Sequence, residues 1–429
     1  MAGLTQAENE LLTRTGPGTP MGNLFREYWI PAMLSERLPA PDCAPIAIML
    51  LGERLVAFRD TQGRVGILDE YCPHRRASLV YGRNEEGGLR CVYHAWKFDV
   101  AGRVIDIPSE LPNSRLAQSI TPIGYPAREA GGIVWTYLGN KAEAPPFPDF
   151  LFTQLPANRV LGWHYHQECN YLQGMEADLD IGHPGFLHAA AVNPLLDPTR
   201  RAMGTDRRPR AYTREETFGF QTVWGWKTED PAKSLFWVDP FVVPFHTIVP
   251  AGRTQMRWIW HAWVPIDDHS HWLYYVHYDS EIDPDAEEKQ RLEQAFGHDL
   301  IDPENNYRSR GNQANLHLLD RERQKHENFT GIRGVAAQDI AITQSMGAIV
   351  DRSREHLTSG DILVIQLRNY LLKTVREHMA GKPAPGQDGG FSYPDIDSRM
   401  QIVPSTMALS EILDHPEWKW GDITEKSTA

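Results

Sequence analysis

Short apolar runs separated by turn residues dominate the first third of the chain. Ile46–Leu51, Arg54–Phe58, Arg64–Leu68 and Gly132–Tyr137 alternate with Gly- and Asp-containing signals such as Gly52-Glu53-Arg54 and Asp60-Thr61-Gln62-Gly63. Runs of this length bounded this way predict strands, and their spacing fits a small all-β sandwich or barrel rather than a parallel sheet. Ahead of them, residues 5–14 predict a short amphipathic helix that stops at Gly16-Pro17-Gly18. Residues 139–149 carry three prolines and read as a linker. Beyond the linker the pattern mixes. Gln221–Trp226, Ser234–Asp239 and Met256–Val264 are strand-like, whereas 285–296, 338–351 and a last turn near 409–413 predict helices. The predicted organisation is α+β: a lead-in over 1–25, an all-β domain over 26–150 and a mixed domain over 151–429.

Composition narrows the class. The 429 residues include 43 Lys+Arg and 56 Asp+Glu, a formal charge of −13, with 41% hydrophobic and 23% charged residues. These fractions are ordinary for a globular protein and exclude wholesale disorder. The acidic balance argues against a nucleic-acid or anionic-membrane surface. Four cysteines in so long a chain cannot form a disulfide framework and suit a reducing compartment. The opening residues lack the basic-then-apolar layout of a signal peptide, and no apolar run approaches the roughly 20 residues that span a bilayer. The expected location is the cytoplasm.

The densest chemistry lies between Tyr71 and Phe98. Cys72-Pro73-His74 is followed, after a gap of sixteen residues, by Cys91-Val92-Tyr93-His94. Two loops that each supply one thiolate and one imidazole suit a Rieske [2Fe–2S] centre, in which two cysteines hold one iron and two histidines the other. Zinc also accepts two Cys and two His, although zinc modules more often pair Cys with Cys and His with His. Cys43 and Cys169 have no partner motif and read as small buried apolar residues.

A second constellation, Glu176, Asp178, Asp180, His183 and His188, lies within a predicted helix over 170–188. Two imidazoles plus one carboxylate on one face of Fe(II) leave positions open for O2 and substrate. His183 and His188 would stand about 140° apart on an ideal helix. Pro184-Gly185 between them can distort the backbone and bring both rings to one point.

The stretches DEYCPHRRASL and LRCVYHAWKFD resemble the Rieske domain of the ring-hydroxylating, Rieske non-haem iron oxygenases, with Ala95 where many relatives carry Gly. GPGTPMGNLFREYWIPAML and the late DRSREHL resemble in particular the phthalate 4,5-dioxygenase-like branch. The resemblance implies a catalytic domain built on an antiparallel, helix-grip-like sheet. It also implies that Cys72, His74, Cys91 and His94 hold the cluster. Asp180, His183 and His188 match the family pattern D-x-x-H-x4-H. By that match His183 and His188 bind the mononuclear iron. Asp180 hydrogen-bonds His183 and a Rieske histidine, His94, of a neighbouring subunit, which implies a homotrimer or a hexamer of stacked trimers. The carboxylate ligand comes from far down the chain, Asp339 being favoured over Asp361.

Relatives of this branch take aromatic carboxylates, so a pocket cation is expected. Arg207, Arg208, Arg210, Arg253 and Arg257 are available, with Arg208 or Arg210 favoured and His246 standing where a second cation would help. Trp224, Trp226, Trp237 and Phe245 are candidate aromatic walls. No G-x-G-x-x-G follows a strand, so NAD(P)H is expected to bind a separate flavin- or ferredoxin-type reductase. The reading is a terminal oxygenase carrying out phthalate-like ring dihydroxylation. The alternative is an O-demethylase or diaryl-ether-cleaving oxygenase on a methoxylated or biaryl acid. A bare electron carrier or zinc-stabilised binding protein is the reading from another class, and the long chain after the cluster domain argues against it.

Overall fold

The computed structural model describes residues 3–111, 113–139, 144–189, 206, 208–251, 255–387 and 389–415. They fall into two compact units, one within 15–148 and 264–267, the other made of the described residues within 1–14, 149–263 and 268–429.

The first unit is all-β. Strands Ile46–Leu50, Glu53–Arg59, Val65–Asp69 and Gly124–Tyr125 make one antiparallel sheet. Arg83–Glu85, Gly88–Arg90, Lys97–Phe98 and Val104–Asp106 make a second, and Trp29–Leu34, Ile133–Tyr137 and Ala127–Ala130 a third. Val56, Phe58, Leu68, Leu79, Leu89, Trp96 and Phe98 form a shared core, and both Cys72 and Cys91 are buried in it.

The second unit begins with helix α1 (Gln6–Thr13), capped by a reciprocal Thr5–Glu8 box. The expected lead-in over 1–25 is therefore split. α1 cannot bury its apolar stripe alone, and it packs in this unit: Leu12 is fully buried, Tyr171 Oη donates to the Leu12 carbonyl at 2.8 Å and Asn9 Nδ2 to the Val350 carbonyl at 2.9 Å. An antiparallel sheet dominates the rest. Its strands are β1 (Val160–Gln167), β2 (Arg210–Glu216), β3 (Gly219–Lys227), β4 (Lys233–Val242), β5 (His246–Pro250), β6 (Trp258–Asp267), β7 (Ser270–Tyr278) and β8 (Arg399–Pro404). Their order is β1-β7-β6-β5-β4-β3-β2. β4 is shared along one edge: its first half pairs with β8 and its last two residues with β5.

The longer helices after α1 are α2 (Tyr171–Asp178), α3 (Ala286–Phe296), α4 (Val335–Ser345) and α5 (Ile362–Met379), and the last turn expected near 409–413 is present as Leu409–Ile412. α3 matches the pattern closely. Its Asp285 cap accepts from Glu288 N–H, and Gly297 ends it at φ 83°. Two other helices differ from expectation. The predicted 170–188 helix is only α2, and a short 3-10 turn follows at His183–Gly185. Pro184 supplies no N–H to continue an α-helix. The predicted 338–351 helix instead runs from Val335, after Gly334 at φ 90°, and stops before Gly347, also at φ 90°. Both glycines take positive φ, which costs glycine little and bounds the helix at each end.

Candidate cluster site and metal centre

In the first unit the two ligand loops share one backbone geometry. Arg76 N–H donates to the Cys72 carbonyl and Ala95 N–H to the Cys91 carbonyl, both at 2.9 Å. Cys72 N–H in turn donates to Ala77 O and Cys91 N–H to Trp96 O. Arg76 and Ala95 close the loops in the left-handed region, at φ 60° and 59°. This turn curls each chain around its thiol. The thiols are buried and touch each other; burial first, and then the neighbouring Cys91, push Cys72 up to about 11. His74 is exposed and His94 half-buried, their ring centres 4.6 Å apart, and His74 lies flat on Trp96.

The donors thus separate into an inner thiol pair and an outer imidazole pair. A two-iron cluster needs that division, whereas a single zinc ion draws all four to one point. Among the described residues, the cluster that does converge on one point lies in the other unit.

There His183, His188 and Asp339 each offer one atom within 4.8 Å of the others. Asp339 Oδ1 is 3.0 Å from His188 Nε2 and 3.8 Å from His183 Nε2. His183 comes from the 3-10 turn and Asp339 from the second turn of α4. Both rings are oriented from behind. His183 Nδ1–H donates to the Asp180 carbonyl at 2.8 Å and His188 Nδ1–H to Gln338 Oε1 at 2.6 Å. Gln338 is itself fixed through Nε2–H to the Ile332 carbonyl at 2.9 Å. Each Nε2 is therefore left with a lone pair aimed at the centre. Burial disfavours a charged His188, but Asp339 outweighs it and holds His188 above its ordinary value; burial would raise Asp339, and His188 holds it below. A cation at the centre takes the place of that shared proton. Two neutral imidazoles and one carboxylate, with open space opposite, are the donor set of a non-haem Fe(II) centre.

Asp361 is elsewhere. Its carboxylate closes a capping box with Thr358, accepting from Thr358 Oγ1–H at 2.8 Å. Asp180 supplies His183 through its carbonyl rather than its carboxylate, which accepts from Gly182 N–H at 2.7 Å and shapes the turn. Glu176 takes no part in the centre; it is buried against Arg352 and Arg368.

The open side is a cavity of about 120 Å³ between the sheet and helices α2 and α4. That is somewhat less than the roughly 150 Å³ of a cavity that binds benzene, so its size is of the order of a single ring. Trp224, Trp237, Ile259, Trp263, Leu273 and Tyr275 supply its apolar wall. The expected cation does not appear in it among the described residues. Arg208 and Arg210 are exposed and off its wall, Arg210 being the first residue of edge strand β2. Arg257 is paired with Asp279 and Glu281, and Arg207 and Arg253 lie outside the described residues. His246 faces away. Successive strand residues alternate sides, so Thr247 reaches Asp178 and Val249 the cavity, while His246 stacks on Trp260 and meets Phe150. The polar lining instead includes Asp178, Asp239 and His261. None was singled out as a pocket residue from sequence, and only the alternation of WIWHAWV marked one side of that strand.

Residues 28–119 match the Rieske [2Fe-2S] domain model, and residues 136–425 match the LigXa C-terminal domain-like model. The chain belongs to the Rieske non-haem iron oxygenases. The oxygenase is 34% identical to the 3-chlorobenzoate-3,4-dioxygenase oxygenase subunit of Comamonas testosteroni over 93% of this chain and 95% of the relative. It is 37% identical to the phthalate 4,5-dioxygenase oxygenase subunit of Pseudomonas putida over 89% of each. Its fold is also that of a crystallised dicamba monooxygenase bound to 3,6-dichlorosalicylic acid, with TM-score 0.58, 19% identity, and 83% of this chain and 99% of the other covered. As a member of this family the oxygenase carries a Rieske cluster and a mononuclear iron. No helix among the described residues is long and apolar enough to cross a membrane.

Proposed function

We propose that this chain is the terminal component of a cytoplasmic multicomponent system that dihydroxylates a single-ring aromatic carboxylic acid. The observation that carries the reading is the convergence of His183, His188 and Asp339 at a cavity of one-ring size. These three residues hold the mononuclear iron, and Cys72, His74, Cys91 and His94 hold the cluster. When bound, the two centres supply one-electron transfer and O2 activation. The protein's part is positional. Gln338 and the Asp180 carbonyl fix the two imidazoles, Trp224 and Trp237 flank the ring, and the apolar wall limits water at the reacting carbon. A separate NAD(P)H-dependent reductase delivers the electrons. Asp180 links His183 to His94 of a neighbouring subunit in a homotrimer or stacked hexamer.

The test supplies the purified holoenzyme with NADH, a generic reductase and either benzoate, 3-chlorobenzoate, phthalate or methoxylated benzoates, and reads product mass. Gain of two hydroxyl groups supports the reading. Loss of a methylene with formaldehyde release makes the enzyme an O-demethylase and overturns ring dihydroxylation.

A further inference from the structure

One wall of the cavity carries polar atoms that the iron ligands do not use. Asp239, on β4, is 1% exposed and lines the cavity. Its Oδ1 accepts from Trp237 Nε1–H and from Ser398 Oγ–H at 2.9 Å, whereas Oδ2 is buried with no partner. The strand around it is held firmly. Thr222 Oγ1 donates to the Asp239 carbonyl at 3.0 Å, and Trp224 Nε1 donates to Thr222 Oγ1 at 2.7 Å.

Burial, reinforced by the nearby Asp178, holds the Asp239 carboxyl well above the ordinary carboxylate range, and the bonds from Ser398 and Trp237 do not bring it back. Both effects favour the neutral, protonated form of the acid. Two donors already occupy Oδ1, so the proton resides on Oδ2 and makes it a hydroxyl donor without an acceptor in the protein. Buried donors of this kind are rare because each costs the hydrogen bond it forgoes. A neutral carboxylic acid in an apolar site can donate to a substrate oxygen where a carboxylate would repel it.

A second unpartnered atom lies on the same cavity. His261 Nδ1 is 3.0 Å from Asp178 Oδ1, and Thr247 Oγ1 donates to Asp178 Oδ2 at 2.7 Å. That leaves His261 Nε2 buried and without a partner. Each Asp178 oxygen thus has a partner on the sheet.

We propose that Asp239 is a specificity-determining residue whose Oδ2–H donates a hydrogen bond to a carboxylate oxygen of the aromatic substrate. The assignment rests on the aromatic-acid reading above. A carboxylate is the strongest acceptor such a ring can offer.

The experiment uses the holoenzyme and its Asp239→Val and Asp239→Asn variants with benzoate, 3-chlorobenzoate and phthalate. Binding is followed by tryptophan fluorescence, turnover by product, and protonation by infrared difference spectroscopy. The expected results are a protonated-carboxyl carbonyl band in the wild type that is absent from Asp239→Asn and shifts when an acid binds. KM for the acid rises about tenfold or more in Asp239→Val, with a smaller change in kcat, as expected for loss of a charge-assisted hydrogen bond. Asp239→Asn recovers most of that loss, because its Nδ2–H can stand where Oδ2–H stood. Absence of the band, or an unchanged KM in Asp239→Val, overturns the proposal. If the band is present and the wild type binds none of the three acids, the aromatic-acid reading has failed and takes the proposed ligand with it.

Discussion

Gln338 shows what a single residue contributes beyond the proposed metal ligands. Its carboxamide joins the His188 ring to the Ile332 carbonyl, so the imidazole presents Nε2 in one orientation. Gln338→Ala is expected to lower affinity for the mononuclear iron by about 10–100-fold while the cluster absorbance is retained, as metal titration will show. Asp339→Ala should lose the mononuclear iron outright. Asp361→Ala should retain it, because Asp361 only caps a turn; iron analysis of the two variants side by side checks both. Asp339 was legible in the sequence as an acid beside a helical pattern. Gln338 was not, because a glutamine's value as an orienting group depends on a ring 150 positions away. Asp239 was hidden for another reason. An Asp within Ser234–Asp239 reads as an ordinary polar strand position, and its burial comes from tertiary packing, Ser398 and Trp237 closing on its carboxyl.

At the scale of elements, the two cluster loops were the most legible feature, because their ligands are contiguous in sequence and need only a turn to meet. The turn itself carries a cost. Ala95 sits at φ 59°, a conformation that disfavours any residue with a Cβ by about 1 kcal/mol or more. Ala95→Gly is therefore expected to stabilise the cluster domain by up to about 1 kcal/mol, seen as a higher midpoint for thermal bleaching of the cluster. A lower midpoint would show that the methyl group makes a contact worth more than the strain. The 170–188 segment was less legible. Its polar and apolar residues suggested one helix, but Pro184 forces the change to a 3-10 turn, and that turn brings His183 to His188 with ring centres 5.0 Å apart. Periodicity reports which residues share a helix face; it says little about where a functional turn replaces the helix.

Across the whole molecule, the division into an all-β and a mixed part was readable from the change in pattern, but the placement of α1 was not, since its partners lie more than 150 residues away. Asp180→Asn probes the proposed link between subunits. The carboxamide oxygen can still accept from Gly182 N–H, and the carbonyl that holds His183 is untouched. Both metal centres should stay loaded while coupled turnover falls steeply; full turnover would sink the intersubunit route.

The DRSREHL segment serves stability instead. Arg352 is fully buried, bonding Glu176 through Nε and Nη2 and Asn9 Oδ1 through Nη1. Arg368 joins the same Glu176 and also Glu355. One carboxylate thus ties α1, α2, α5 and the 352–355 turn together. Burial alone would raise the Glu176 carboxyl, but the two guanidinium groups outweigh it and hold it below its ordinary 4.5. A carboxyl lowered in the folded state contributes stability that is complete above its unfolded value and is lost as pH falls through the folded one. This domain should therefore weaken below about pH 4.5, and Glu176→Gln should flatten that acid limb while lowering stability at pH 7. Glu176→Ala leaves two buried cations facing nothing and is expected to cost about 3–5 kcal/mol, measured by denaturant unfolding at pH 7. A cost below about 1 kcal/mol, the value of an exposed pair, would mean that water reaches the two arginines and that the helices are held by their apolar faces alone.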